Sequence, residues 1–115
     1  MLEPIEIARK IVDIASDKMA SDILMLDITE IGFFADYFVI CSGQSQRQIG
    51  AIAQEIDKVM RKDGIKVHHK ESTASSGWIL MDYGSTIVHI FDVETREYYD
   101  LEQLWEQAKP VVRIQ

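Results

Sequence analysis

Apolar and polar positions repeat with two different periods along this chain, and each change of period marks an element. Over residues 5 to 19, Ile5, Ile7, Ala8, Ile11, Val12, Ile14, Ala15 and Met19 fall on one side, with Glu6, Arg9, Lys10, Asp13, Ser16 and Asp17 on the other. That spacing predicts an amphipathic helix with a wide buried face. Ile23–Ile28 and Phe38–Cys41 are short, nearly unbroken apolar runs, the pattern of strands buried on both faces in the middle of a sheet. Residues 31 to 37, between them, carry a turn and two aromatics that read as exposed. Ser45 followed by Gln48 reads as a capping box. Ile49, Ile52, Ala53, Ile56, Val59 and Met60 then mark a helical stripe that Gly64 ends. Ile65-Lys66-Val67 reads as the next strand, so residues 38 to 67 form one βαβ unit with a right-handed crossover. Residues 72 to 77 read as a mobile polar loop. Asp100 caps a last short helix with Leu101, Leu104, Trp105 and Ala108 on one face, stopped by Pro110.

The clearest stretch is Trp78 to Phe91, two apolar runs around Gly84-Ser85. A two-residue loop with Gly first is a hairpin signal, and it sets the register. Tyr83 lies opposite Thr86, Met81 opposite Val88 and Ile79 opposite Ile90 on one face suited to the core. The other face pairs Trp78 with Phe91, Leu80 with His89 and Asp82 with Ile87. This mixture of large aromatics with an acid and an imidazole has two readings. Either a helix covers it, or it meets a partner through Trp78 as a rigid anchor. The whole chain then reads α-β-β-α-β-β-β-α: a single-domain α/β fold over residues 1–115, a mixed β-sheet with packed helices.

Length supports one domain, since 115 residues bury roughly two thirds of the unfolded surface without disulfides or metals. Asp and Glu outnumber Lys and Arg by 19 to 12, for a net charge of −7. Such a chain repels phosphate backbones, so sequence-specific nucleic-acid binding is not expected. An acidic surface suits a basic protein partner, or serves solubility alone. The single Cys41 makes no internal disulfide and belongs to no zinc pair. The start lacks a signal-peptide n-region, and no apolar run reaches about 18 residues. The expectation is a cytoplasmic protein with no membrane span.

Candidate chemistry is thin. Cys41 and Arg47 stand in the spacing C-x5-R where a strand meets a helix N-terminus, the context of Cys-dependent phosphatases, in which a thiolate attacks and an arginine clamps phosphate. The His before and the Ser or Thr after that motif are missing: Ile40 and Gln48 stand there. A small apolar Cys ending a buried strand explains the same residues. His68 and His69 would point to opposite sides of a strand, and His89 reaches diagonally toward Asp82 with no nucleophile nearby. Asp82 and Asp92 lack the Asp-x-Asp spacing that holds a metal for nucleotidyl transfer. No catalytic residue, metal site or cofactor is assigned.

The residues Asp36-Tyr-Phe-Val-Ile-Cys-Ser-Gly-Gln-Ser-Gln-Arg-Gln48, Gly77-Trp-Ile-Leu-Met-Asp-Tyr-Gly84, Ile87-Val-His-Ile-Phe91 and Arg96-Glu-Tyr-Tyr-Asp-Leu-Glu-Gln-Leu-Trp105 together resemble the ribosomal silencing factor family, also called Iojap-like. The resemblance spans nearly the whole chain. It implies a fold similar to nucleotidyltransferases without the catalytic acids, and no enzymatic activity. It also implies a translation repressor that binds protein fourteen of the large ribosomal subunit and sterically blocks joining of the small subunit when nutrients are short. Carried over by position, Trp78, Leu80, Asp82 and Tyr83 would contact the ribosomal protein. His89 is a further contact, and Tyr98 and Tyr99 stand at the rim or in the core. Asp82, Asp92 and Glu94 would meet basic side chains of the partner. Departures are a longer Ser-rich loop before Gly77 and the tail Val111–Gln115, which reads either as an extra strand or as a homodimer contact. A homo-oligomer burying Trp78 and Phe91 against a second copy is the third reading.

Overall fold

The computed structural model describes residues 2–32, 34–73 and 76–115. Their elements run α1 Pro4–Asp17, β1 Ser21–Asp27, β2 Tyr37–Gly43, α2 Gln46–Lys62, β3 His69–Thr73, β4 Trp78–Asp82, β5 Thr86–Asp92, α3 Val93–Tyr99, α4 Leu101–Leu104 and β6 Lys109–Ile114. Six strands form one mixed sheet in the order β3-β4-β5-β2-β1-β6. Only β2 and β5 pair in parallel; every other neighbour is antiparallel.

The two long helices form as their patterns require and cover one sheet face. Pro4 opens α1, where its missing N–H costs nothing, and Glu6 Oε1 accepts from the Glu3 N–H at 3.0 Å. In α2 the Ser45 hydroxyl accepts from the Gln48 N–H at 3.1 Å. The Gln48 carboxamide reaches back one residue beyond the expected capping box, to the Gln44 N–H at 2.6 Å. Gly64 follows with φ of +79°, the left-handed position that ends a helix. Ala8, Ile11, Val12 and Ala15 of α1 and Ile49, Ile52, Ile56 and Met60 of α2 pack on Met25, Val39, Cys41, Ile79, Met81, Val88 and Ile90 of the sheet.

The opposite face has no long helix. Leu24, Leu26, Phe38, Ile40 and Phe91 are covered there by Ile31, Ala35, Leu101, Trp105 and Ala108, from the turn before β2 and the segment after β5. The β4–β5 hairpin has the expected register, from Trp78 opposite Phe91 to Asp82 opposite Ile87. Gly84 turns with φ of +86°.

Several expectations are corrected. Ile65–Val67 is not a strand. Pairing with β4 begins at His69 opposite Asp82, so residues 65 to 67 lie beyond the end of β4 with no ladder to join. The βαβ unit is present in a split form: β3 runs in the direction of β2, but β5 and β4 lie between them. Ser72 and Thr73 belong to β3 rather than to a loop, while Ala74, Ser75 and Phe33 lie outside the described residues. The last helix is cut to Leu101–Leu104, without a side-chain cap from Asp100, and an unexpected helix, α3, precedes it; Leu104 is 73% exposed rather than on the buried face. The tail forms β6, antiparallel to β1 at the sheet edge, where a strand tolerates Pro110.

Candidate functional site: an aromatic sheet face

The outer face of β4, β5 and β2 carries Trp78, His89, Phe91 and Phe38, and neighbouring rings extend this group in two directions. Trp78 meets Phe91 with centroids 4.9 Å apart and Tyr99 at 4.8 Å, and Tyr99 meets Tyr98 at 5.0 Å. On the other side Phe38 meets His89 and Trp105, each at 5.0 Å, and Phe34 packs on both Phe38 and Trp105 at 5.9 Å. Such tilted and edge-on pairs add to the area they bury and hold one another rigid. The centre is sealed, with Phe91, Phe38 and His89 buried, while Tyr98 at 82%, Phe34 at 56% and Tyr99 at 48% remain open to solvent. Trp78 is half-buried between them.

This face is therefore covered in part by the chain itself and open in part. The chain's own α3–α4 segment covers the middle, and aromatic side chains stay open around it. Phe91 is already fully buried, so the homo-oligomer reading loses one of its two anchors.

Backbone geometry places Trp78. Gly77 has φ of +78°, and a Cβ there would lie 2.3 Å from Thr95 Oγ1 and 2.4 Å from Asp92 Oδ2. Only glycine lets this turn lie against the start of α3, where Asp92 Oδ1 accepts the Thr95 N–H at 2.8 Å and the Asp92 N–H donates to Gly77 O at 2.9 Å. Asp92 is thus a helix cap and not the free partner-facing acid expected from the sequence.

The indole Nε1–H donates to His89 Nδ1 at 3.2 Å. The predicted diagonal pairing of His89 with Asp82 does not form, because Asp82 Oδ1 accepts the Gly84 N–H at 2.7 Å. Burial lowers the His89 imidazole to about 4. The ring is therefore neutral at pH 7, with its proton on Nε2, which has no hydrogen-bond partner among the described residues. Its role is to orient Trp78 from beneath.

Of the other sequence-predicted site residues, Leu80 and Asp82 are half-exposed on β4 beside Trp78. Leu80, Trp78, Glu71 and Ser76 line a small hollow of about 140 Å³. Tyr83 is corrected: it is buried in the helix-packed core on the opposite face, so it supports the hairpin rather than offering contact area. Tyr98 and Tyr99 lie on the surface and not in the core. Sequence reasoning missed Arg96, which is buried at 5% exposure. A lone arginine among acids carries no signal of burial.

The phosphatase reading fails on its nucleophile. Cys41 is fully buried, and desolvation pushes its thiol up to about 12, opposite to the lowering a nucleophile needs. Arg47 is exposed on the first turn of α2. His69 pairs with Glu71 at 3.1 Å, and His68 lies outside β3, over the hairpin turn at Gly84. Among the described residues no three His, Cys, Asp or Glu side chains converge as a metal site, and no helix is long and apolar enough to cross a membrane.

Fold and surface together define a small α/β domain of one mixed sheet, helix-packed on one side and aromatic on the other. The chain belongs to the ribosomal silencing factor family: residues 2–115 match the model described as "Ribosomal silencing factor during starvation". It is 46% identical over 92 residues to the ribosomal silencing factor RsfS of Bacillus subtilis, covering 80% of this chain and 78% of that protein. It is 37% identical over 110 residues to RsfS of Halalkalibacterium halodurans, covering 96% and 93%. A crystal structure of a Chromobacterium violaceum protein superimposes with a TM-score of 0.87 at 28% identity, covering 91% of this chain and 88% of that one.

Proposed function

We propose that this protein represses translation in the cytoplasm by binding the large ribosomal subunit through its protein fourteen and so preventing the small subunit from joining. The observation that carries the reading is the aromatic rim, half-buried Trp78 on the sheet with exposed Tyr99 and Tyr98 of α3 beside it, in a chain of this family. Aromatic side chains anchored by scaffold elements supply most of the energy of protein interfaces. Leu80 and the hollow beside it receive an apolar side chain, and Asp82 at the rim pairs with a basic one. The net charge of −7 favours approach to a basic protein and disfavours bare RNA. Repression requires no chemistry: once the face is docked, the body of the domain fills space the small subunit needs.

Co-sedimentation with purified large subunits tests this. Wild-type protein travels with large subunits and lowers the yield of joined ribosomes, and Trp78→Glu abolishes both effects. Tyr98→Ala, at a side chain open to solvent, keeps the wild-type melting temperature and weakens binding. Full binding by a folded Trp78→Glu variant refutes the site; no binding by the wild type refutes the function.

A further inference from the structure

We infer that Arg96 is a positioning residue, a buried latch that holds α3 so that Tyr99 stacks on Trp78. Helix α3 has seven residues, and Arg96 is its only buried side chain. A helix this short does not persist by itself, and no buried apolar stripe docks α3 on the sheet. It is held by the Asp92 cap at its start and by the guanidinium at its middle.

The guanidinium reaches three other elements. Nη1 donates to the carbonyl of Asp22 at 2.6 Å and to the Ser42 hydroxyl at 2.8 Å, and Nε donates to Glu102 Oε2 at 3.4 Å. Those partners lie on β1, at the end of β2 and on α4. The β1 partner is itself shaped for this contact. Asp22 has φ of +47°, an unfavourable backbone for a non-glycine residue, and the β1–β2 register shifts between Ser21 and Leu24. This bulge leaves the Asp22 carbonyl outside the ladder and facing Arg96. A strained residue facing a buried charge 74 positions away indicates a built contact.

Tyr98 and Tyr99 follow Arg96 on the same turn, so releasing the guanidinium frees Tyr99 from Trp78, and Tyr98, which packs on Tyr99, moves with it. A partner would then have to reorder α3 on binding, which costs roughly tenfold in affinity. This consequence for binding rests on the function proposed above; the latch itself does not.

The test uses full-length Arg96→Met and Arg96→Lys, read by amide hydrogen exchange and by the indole N–H resonance of Trp78, alongside co-sedimentation with large subunits. In folded Arg96→Met, the α3 amides exchange faster relative to those of β2 than in the wild type. The Trp78 indole signal shifts, and affinity falls roughly tenfold. Arg96→Lys, which keeps the charge without the fork geometry, lies between the two. An unshifted indole signal and unchanged relative exchange in folded Arg96→Met overturn the latch. If Arg96→Met does not fold, Ser42→Ala, which removes one acceptor, is expected to give the same changes at smaller size, and no change there overturns the proposal. Failure of the wild type to bind large subunits refutes the ribosomal reading and leaves the spectroscopic result to decide the latch.

Discussion

Lowering the pH should destabilise this protein through His89, and the size of the effect can be worked out. The imidazole is 5% exposed, accepts the Trp78 indole N–H, and ionises at about 4 rather than its ordinary 6.5 because burial opposes the charge. In the unfolded chain the ring takes up its proton as pH falls through about 6.5. The folded protein resists until about 4. Between those values the unfolded state binds more protons, so stability declines as pH falls across that window, and the loss is complete below it. The gap corresponds to about 3 kcal/mol, a large share of the 5–15 kcal/mol that holds a typical domain. Protonation also destroys the acceptor for the Trp78 N–H, so Trp78 loosens as the charge appears.

Urea denaturation at pH 7, 5.5 and 4.5 measures this, with His89→Leu as the comparison because carboxylates titrate in both proteins. The wild type should lose more stability than His89→Leu by about 2 to 3 kcal/mol over that range. At pH 7 the two should lie within about 1.5 kcal/mol, since the variant leaves the indole N–H unpaired but also removes an unsatisfied Nε2–H. Parallel pH profiles for the two proteins, or an NMR titration that places His89 near 6.5 in the folded state, would refute the reasoning.

Other expectations follow from the same geometry. Gly77→Ala places a methyl within 2.4 Å of Asp92 and Thr95 at a positive φ. It should cost about 2–5 kcal/mol from overpacking and backbone strain together, and thermal denaturation showing a loss under about 1 kcal/mol would count against the close approach. Cys41 should resist a thiol reagent such as a disulfide dye in the native protein and react on unfolding. Rapid labelling at pH 8 would contradict its burial and its raised thiol ionisation.

The sheet's central strands, both long helices and the full register of the β4–β5 hairpin were legible in the sequence, because each rests on a local rule. A 3.6-residue stripe such as Ile49, Ile52, Ile56 and Met60, or a glycine at the first position of a two-residue loop, constrains its neighbours without reference to anything distant. The resemblance to the ribosomal silencing factors rested on contiguous motifs and was equally readable. Misreadings arose where local pattern and long-range pairing disagreed. Ile65 and Val67 alternate like a strand, but β4 ends before it can pair with them.

The chain by itself determined which residues are apolar, how they repeat, and that Trp78 shares a sheet face with Phe91 and His89. Tertiary structure alone decided how open that face is, because part of its cover is α3, which buries no apolar side chain and carries no apolar stripe. That segment is seated by a buried guanidinium bonded to groups 54 and 74 residues away. Contacts of that separation leave no period in a sequence: hydrophobic patterns record which side of an element meets the core, whereas a charge is buried only where the fold brings its partners to it.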